Sequence, residues 1–278
     1  MSGGGGAAEP SGAAPAAGAV PVGAPLLELR ELSCRFGGLL ALDRVSLAIE
    51  KGELFGLIGP NGAGKTTLFN LLTGVTPASG GEILWRGAAI TGLAPHRRNR
   101  LGLARTFQNL RLFNGLTVLE NLLVALQRQP PASLVGGLLA SAGHRRSERQ
   151  RLEQAAQLLE ELGLTGLAGR PAGTLAYGDR RRLEIARALA TRPALLLLDE
   201  PAAGMNPAEK DDLCQLIGDL RRRHRLTVMV IEHHVPLLMR LCDRLAVLDF
   251  GVRIALGSPE EVRQDPRVIE AYLGGSPP

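Results

Sequence analysis

Three observations predict an α/β fold built round a parallel sheet in this chain of 278 residues. Short apolar runs of strand length alternate with segments of helical period. One such run, Leu54 to Ile58, leads through Gly59-Pro60-Asn61-Gly62-Ala63-Gly64-Lys65-Thr66-Thr67 into Leu68-Phe69-Asn70-Leu71-Leu72, which reads as the opening of a helix. Another, Leu195 to Leu198, ends in Asp199-Glu200-Pro201. A buried strand that finishes in two acids presents them at the carboxyl edge of a parallel sheet, where such folds bind ligands.

The elements follow in order. Residues 1–25 are rich in Gly, Ala and Pro, with Glu9 the only charged side chain. They lack the basic start and apolar core of a signal peptide and are expected to form a disordered tail. Leu26 to Arg35 and Leu42 to Glu50 read as strands, and Lys51-Gly52-Glu53 as a turn into the Leu54 run. Gly80 to Gly87 is a short strand bounded by glycines. Val118, Leu119, Leu122, Leu123 and Leu126 give Thr117 to Gln127 a helical period, which Pro130-Pro131 breaks. Residues 132–143 are small and apolar and read as a mobile helical insert. Arg149 to Leu162 is an amphipathic helix ended by Gly163. Glu209 to Arg223 reads as a helix, Leu226 to Ile231 as a buried strand followed by Glu232-His233-His234, and Val235 to Cys242 as a helix. Arg244 to Asp249 and Val252 to Leu256 form a hairpin round Phe250-Gly251. Asp249-Phe250-Gly251 spells a kinase motif, but the other kinase signatures are missing, so it reads as coincidence. No internal repeat is visible.

The glycine-rich stretch matches the phosphate-loop pattern of Gly, four residues, then Gly-Lys-Thr. Its glycines let successive backbone N–H groups turn inward round a phosphate chain, and the following helix N-terminus adds partial positive charge. Lys65 would reach the β- and γ-phosphates and the Thr66 hydroxyl would sit on Mg²⁺. Asp199 fits the role of holding Mg²⁺, and Glu200 that of orienting and polarising an attacking water. The bland alternatives are a flexible loop and two solvated acids. They would not explain both motifs occurring together in the required strand contexts.

Composition bounds the remaining classes. A hydrophobic fraction of 45% suits a globular core, and the length allows one large domain or two small ones. Cys34, Cys214 and Cys242 have neither metal-ligand nor disulfide spacing, which points to a reducing cytosolic compartment. No uninterrupted apolar run approaches the roughly 20 residues of a membrane helix, so a soluble chain is expected. The net charge is +5 with a pI near 9.6. Arginine supplies it in the clusters Arg97-Arg98-Arg100, Arg145-Arg146, Arg180-Arg181-Arg182 and Arg221-Arg222-Arg223. These read first as solvated helix faces, with an anionic membrane surface or a nucleic acid as sharper alternatives. Aromatics make up only 3% and are not interleaved with the arginines, so no nucleic-acid partner is expected.

The order of further segments resembles that of ATP-binding cassette ATPases from Leu26 almost to the C-terminus. Arg105-Thr106-Phe107-Gln108 lies between the two phosphate-site motifs, Leu175-Ala176-Tyr177-Gly178-Asp179 precedes the acidic strand, and His233 follows the next one. The resemblance implies a P-loop ATP-binding cassette with a RecA-like parallel-sheet core, an N-terminal antiparallel β-subdomain and an α-helical signature subdomain. The cassette would span residues 26–257, with its helical part about 110–180, followed by a C-terminal extension at 258–278. It further implies Phe36 stacking on adenine, Gln108 sensing Mg²⁺ and the attacking water, and His233 contacting the γ-phosphate. Ala176 to Asp179 would close on ATP held by the opposite subunit. Phe36 to Leu42, Arg105 to Phe113, Leu175 to Asp179, Pro201 to Pro207 and Asp265 to Gly274 are similar to the first of two ATPases in bacterial high-affinity branched-chain amino acid importers. That subfamily implies a second, non-identical cassette subunit, two transmembrane permease subunits, an indirectly coupled solute-binding protein, and a peripheral place on the cytoplasmic face of the bacterial inner membrane. The region from Gln108 to Phe113 and the helical block after it would then dock the membrane subunit.

The departures are informative. The general signature is Leu-Ser-Gly-Gly-Gln; here Ala176 replaces the serine and Tyr177 a glycine. Unequal composite ATP sites are therefore expected. Asn206 and His234 stand where the family often has aspartates. A metal role for His233-His234 lacks a third ligand at suitable spacing. The competing reading is an ATP-driven clamp acting on nucleic acid or the ribosome. The interval between Lys65 and Asp199 holds no sustained heptads and the chain has a single phosphate loop, both of which favour the transport ATPase.

Overall fold

Alternation along three apolar strands organises the whole molecule. The computed structural model describes residues 24–108, 110–127 and 141–273. In β3 (Leu54–Ile58), β7 (Leu195–Asp199) and β8 (Thr227–Ile231) every residue is buried. Continuous burial is the mark of parallel strands covered on both faces. Because side chains alternate between faces, Leu54, Ile58, Leu196, Leu198, Val228 and Val230 enter one core. Phe55, Leu57, Leu195, Leu197, Met229 and Ile231 enter the other.

These strands sit inside a six-stranded sheet of order β10-β9-β3-β8-β7-β6, completed by β6 (Leu103–Arg105), β9 (Arg244–Asp249) and β10 (Val252–Gly257). All its neighbouring pairs are parallel except β10 against β9. The hairpin expected round Phe250-Gly251 is thus the antiparallel edge of this sheet. β6 has only three residues, too few for a sequence period, and was not expected.

A second, antiparallel sheet has the order β2-β1-β4-β5, from β1 (Leu27–Phe36), β2 (Leu39–Ile49), β4 (Gly80–Trp85) and β5 (Ala88–Ala89). Its inner residues Leu27, Leu29, Leu32 and Cys34 join the second core beside α1 (Lys65–Thr73). The first hairpin is longer than expected, reaching Phe36 paired with Leu39. Leu39 and Leu40 are exposed, so no apolar alternation marks them as strand.

The first core is covered by α3 (Val118–Leu126), α4 (Ser141–Glu161), α5 (Tyr177–Ala190) and α6 (Pro207–His224). Thr117 and Glu120 form a capping box at α3, as Asn206 and Glu209 do at α6. Asn206, one of the departures noted above, therefore has a local task as an N-cap. α4 starts earlier than its apolar period, at Ser141, because its first turns are polar. Most of the expected insert at 132–143, and nearly all of the tail, lie outside the described residues.

Two arginines correct the expectation of solvated clusters. Arg98, in α2 (Pro95–Arg100), is fully buried. Its guanidinium donates to the carbonyls of Leu71, Leu72, Leu93 and Thr91, so it neutralises the C-terminal end of α1. Burial pushes its pKa down to about 10. Arg181, in α5, is also buried. In both places, backbone carbonyls replace water as acceptors, which a pattern of charges cannot reveal.

Candidate active site

The phosphate loop joins β3 to α1 and lines one wall of a cleft of about 570 Å³. Gly59 has φ 149°, and a Cβ there would collide with the Leu248 carbonyl oxygen. Gly64, the N-cap of α1, is left-handed with φ 98° and has no space for a Cβ beside Ala41 and Leu42. Glycine is required at both. No side chain caps α1, and Lys65, Thr66 and Thr67 of its first turn line the cleft. First-turn N–H groups and helix dipole therefore face an anion-sized concavity. Lys65 is buried and its Nζ donates to the carbonyls of Gly59 (2.7 Å) and Pro60 (2.8 Å). Burial lowers its pKa, with the Glu200 carboxylate acting in the opposite sense. Asn61, Gly62 and Ala63 also line the cleft. The last helix, α9 (Pro266–Leu273), brings the Tyr272 phenol to the Gly59 backbone at the base of the loop.

The acidic strand end behaves as two separate groups. Asp199 is buried, and its Oδ2 pairs with Arg105 Nη2 at 2.6 Å. Arg105 also donates to Asn70 Oδ1 on α1 at 2.7 Å, which ties α1, β6 and β7 together. Asp199 Oδ1 is buried without a protein partner. Such an orphaned acceptor has the hard-oxygen chemistry of a Mg²⁺ ligand, as do the Thr66 hydroxyl and the Gln108 amide oxygen; those two residues line the cleft, whereas Asp199 is buried and does not. Among the described residues no three or more His, Cys, Asp or Glu are grouped so that they could hold a metal ion.

Glu200 follows β7 with φ 48°, an uncommon conformation for a residue with a side chain. Its N–H donates to the Ile231 carbonyl (2.9 Å), which fixes the turn against β8. The carboxylate is then held from two sides. Gln108 Nε2 donates to Oε2 at 2.9 Å, and His233 Nε2 lies 2.6 Å from Oε1. Three residues that the sequence places 92 and 33 positions apart thus meet on one carboxylate. All three line the cleft with Lys65.

Phe36 lies at the cleft mouth with Leu39 and Leu40, and is 49% exposed. Phe250, 69% exposed, faces the same cleft. It was not expected here, because its tripeptide reads as a turn and its strand neighbour is far away in sequence. Arg105 as the partner of Asp199 was missed as well. So was Glu232, whose buried carboxylate accepts from the N–H groups of Ala202 (2.6 Å) and His233 (3.2 Å). Burial pushes Glu232 upward in pKa. Only its place after an apolar strand, beside His233, could have flagged it.

The signature segment is not brought to this cleft. Ala176 is the N-cap of α5, and Tyr177, Gly178 and Asp179 form its first turn. None of the four lines the cleft. A larger groove of about 1180 Å³, bounded by Lys51, Arg221 and Arg225 among others, includes no residue of the phosphate loop and none of the carboxylate cluster. Among the described residues, no helix is long and apolar enough to cross a membrane.

A family model described as ABC transporter matches residues 42–203. Another, described as branched-chain amino acid ATP-binding cassette transporter, matches residues 252–277. The high-affinity branched-chain amino acid transport ATP-binding protein BraF of Pseudomonas aeruginosa is 52% identical over 250 residues, covering 90% of this chain and 98% of that protein. LivG of Escherichia coli K12, with the same description, is 50% identical with the same coverage. The crystal structure of a nucleotide-free ATP-binding cassette from an ABC transporter is similar at a TM-score of 0.77 and 34% identity, covering 90% of this chain and 99% of that one. With a phosphate loop and a carboxylate held by Gln108 and His233 in one cleft, the chain belongs to the ABC transporter family, among its ATP-binding subunits.

Proposed function

We propose that this chain hydrolyses ATP to ADP and phosphate in order to power the import of branched-chain amino acids, or related amino acids and amides, through a separate membrane permease. The observation that carries the reading is the Glu200 carboxylate held between Gln108 and His233 in the cleft of Lys65. Half of the chemistry is positioning. Phe36 and Phe250 offer faces for a base at the mouth, and the phosphate loop offers N–H groups in a row. Lys65 exchanges loop carbonyls for β- and γ-phosphate oxygens, so its charge follows the transferring group. Glu200 orients a water in line with the γ-phosphorus and accepts its proton as the bond to the β–γ bridging oxygen breaks. Gln108 and His233 keep that carboxylate aimed. Thr66, Asp199 and Gln108 would hold Mg²⁺, which when bound would supply positive charge to the phosphate oxygens.

The same reading gives the chain a second, non-identical cassette as partner. Ala176 to Asp179 are exposed or half-buried at the start of α5 and lie away from their own cleft, as a loop that serves another subunit's ATP must. Two permease subunits would dock near Gln108 to Phe113. There Phe113 is exposed and stacks on Arg187 at 4.9 Å, while Leu112 packs inward. α3, α4 and α5 pack on one another over one face of the sheet, which supports a helical subdomain at about 110–180 within a cassette of residues 26–257, and α8 (Pro259–Gln264) and α9 belong to the extension at 258–278. The location follows as peripheral, on the cytoplasmic face of the inner membrane. A solute-binding protein would be coupled only through the permease.

The test is capture with a tagged Glu200→Gln variant, which should bind ATP and stall. With ATP and Mg²⁺ added to solubilised membranes, two permease subunits and a second ATPase should co-purify. Recovery from the soluble fraction with DNA or ribosomes would overturn the transport reading.

A further inference from the structure

Arg181 connects two places that the proposed function treats separately, the signature loop and the hydrolytic cleft. Its side chain is only 1% exposed. Nη1 donates to the Phe107 carbonyl (2.7 Å) and to Glu184 Oε2 (3.0 Å). Nη2 donates to the Gln108 carbonyl (2.9 Å), the Tyr177 phenol oxygen (3.2 Å) and the Glu200 carbonyl (3.3 Å). Glu184 Oε1 in turn accepts the Phe107 N–H (3.0 Å), so the chain just before Gln108 is held on both backbone polar groups. The guanidinium also lies 5.7 Å from the Tyr177 ring centroid.

A guanidinium is planar, with its donors in a fixed fork. It cannot follow Tyr177 while keeping both Gln108 and Glu200 at their present distances. Tyr177 is the first residue of α5 and is 41% exposed. Gln108 and Glu200 are two of the three groups that form the carboxylate cluster. Displacement at the start of α5 therefore reaches the backbone of both. The general family pattern has glycine at the position of Tyr177, and a glycine offers no side chain to Arg181.

We propose that Arg181 is a positioning residue that couples this chain's signature loop to its own Gln108 and Glu200, so that closure of the loop on nucleotide held by another cassette resets hydrolysis in this cleft. The inference rests on the reading of the chain as one of a pair of ATPases.

The experiment uses the reconstituted complex in lipid vesicles, with the acid of the second ATPase that corresponds to Glu200 changed to Gln, so that the second cassette holds ATP without turning it over and turnover reports this chain's cleft. Tyr177→Phe keeps the ring and loses only the phenol oxygen. It should lower kcat about 3- to 10-fold while leaving KM for ATP and the melting temperature within experimental error. Arg181→Lys keeps the charge and loses the fork, and should lower kcat by about 30-fold or more. The double variant should be no slower than Arg181→Lys alone, since both act through one link. Unchanged kcat in Tyr177→Phe, with an active wild-type complex, would overturn the coupling and leave the ATPase reading intact. No hydrolysis by the wild-type complex would overturn that reading, and the coupling with it.

Discussion

The phosphate cleft and the signature loop are built in opposite ways. In the cleft, Gln108, Glu200 and His233 come from three separate segments and satisfy one another, while Lys65 is held by the carbonyls of its own loop, all within a single chain. At the loop, Ala176 to Asp179 are contiguous and open to solvent or half-buried, and away from that cleft. On the function proposed above, charge placement for hydrolysis would be completed inside this fold, and the covering of a phosphate chain would be left to a second one. A site in which buried polar groups need one another tolerates little change. A loop that waits for a partner should tolerate change in the isolated chain and reveal it only in the complex.

The comparison can be broken most forcefully in the cleft. Glu200→Gln should lower kcat roughly 10²- to 10⁴-fold and leave ATP affinity near wild type, as read by steady-state turnover beside equilibrium nucleotide binding. Retained turnover would move the proton acceptor elsewhere. Arg105→Met tests the other acid. It leaves the Asp199 carboxylate buried without its charged partner, and should cost about 3–5 kcal/mol in denaturant unfolding at neutral pH. A loss below about 1 kcal/mol would mean that water reaches Asp199.

A smaller effect is expected at the mouth. Phe36→Ala removes one stacking face, and should raise the KM for ATP by about 5- to 10-fold with kcat unchanged. At the loop, Ala176→Ser restores a hydroxyl for a partner's γ-phosphate. It should raise turnover of the paired complex by a factor of about 2 to 5 and do nothing to the isolated chain. The smallest effect concerns Glu232. Burial raises its pKa in the folded chain, so its contribution to stability is present at low pH and is lost as pH rises through the raised value. Melting of wild type against Glu232→Gln, across about pH 4 to 8, should show wild type losing ground as pH rises. The opposite slope would mean that the N–H groups of Ala202 and His233 outweigh burial.

Much of this was legible in the sequence where local pattern and chemistry coincide. The phosphate loop is contiguous, so its spacing alone carries the geometry of Gly59, Gly64 and Lys65. The strands β3, β7 and β8 announce themselves because burial on both faces demands uninterrupted apolar residues. Less was legible where a residue serves a distant partner. Arg98 and Arg181 look like any solvated arginine until the carbonyls they bind are seen. Phe250 joins the cleft only because β9 lies beside β3. β6 is held by pairing with β7 rather than by any preference of its three residues. The roles of Gln108 and His233 came from resemblance, and their meeting on Glu200 required the fold.

The central claim is that this chain carries the hydrolytic groups and lacks the closing half. Its most direct test is the ATPase rate per molecule as a function of protein concentration, with and without the second ATPase. The account predicts a rate that is low for dilute isolated chain and rises with concentration or with added partner. A rate that is high in the dilute monomer and independent of both would contradict it.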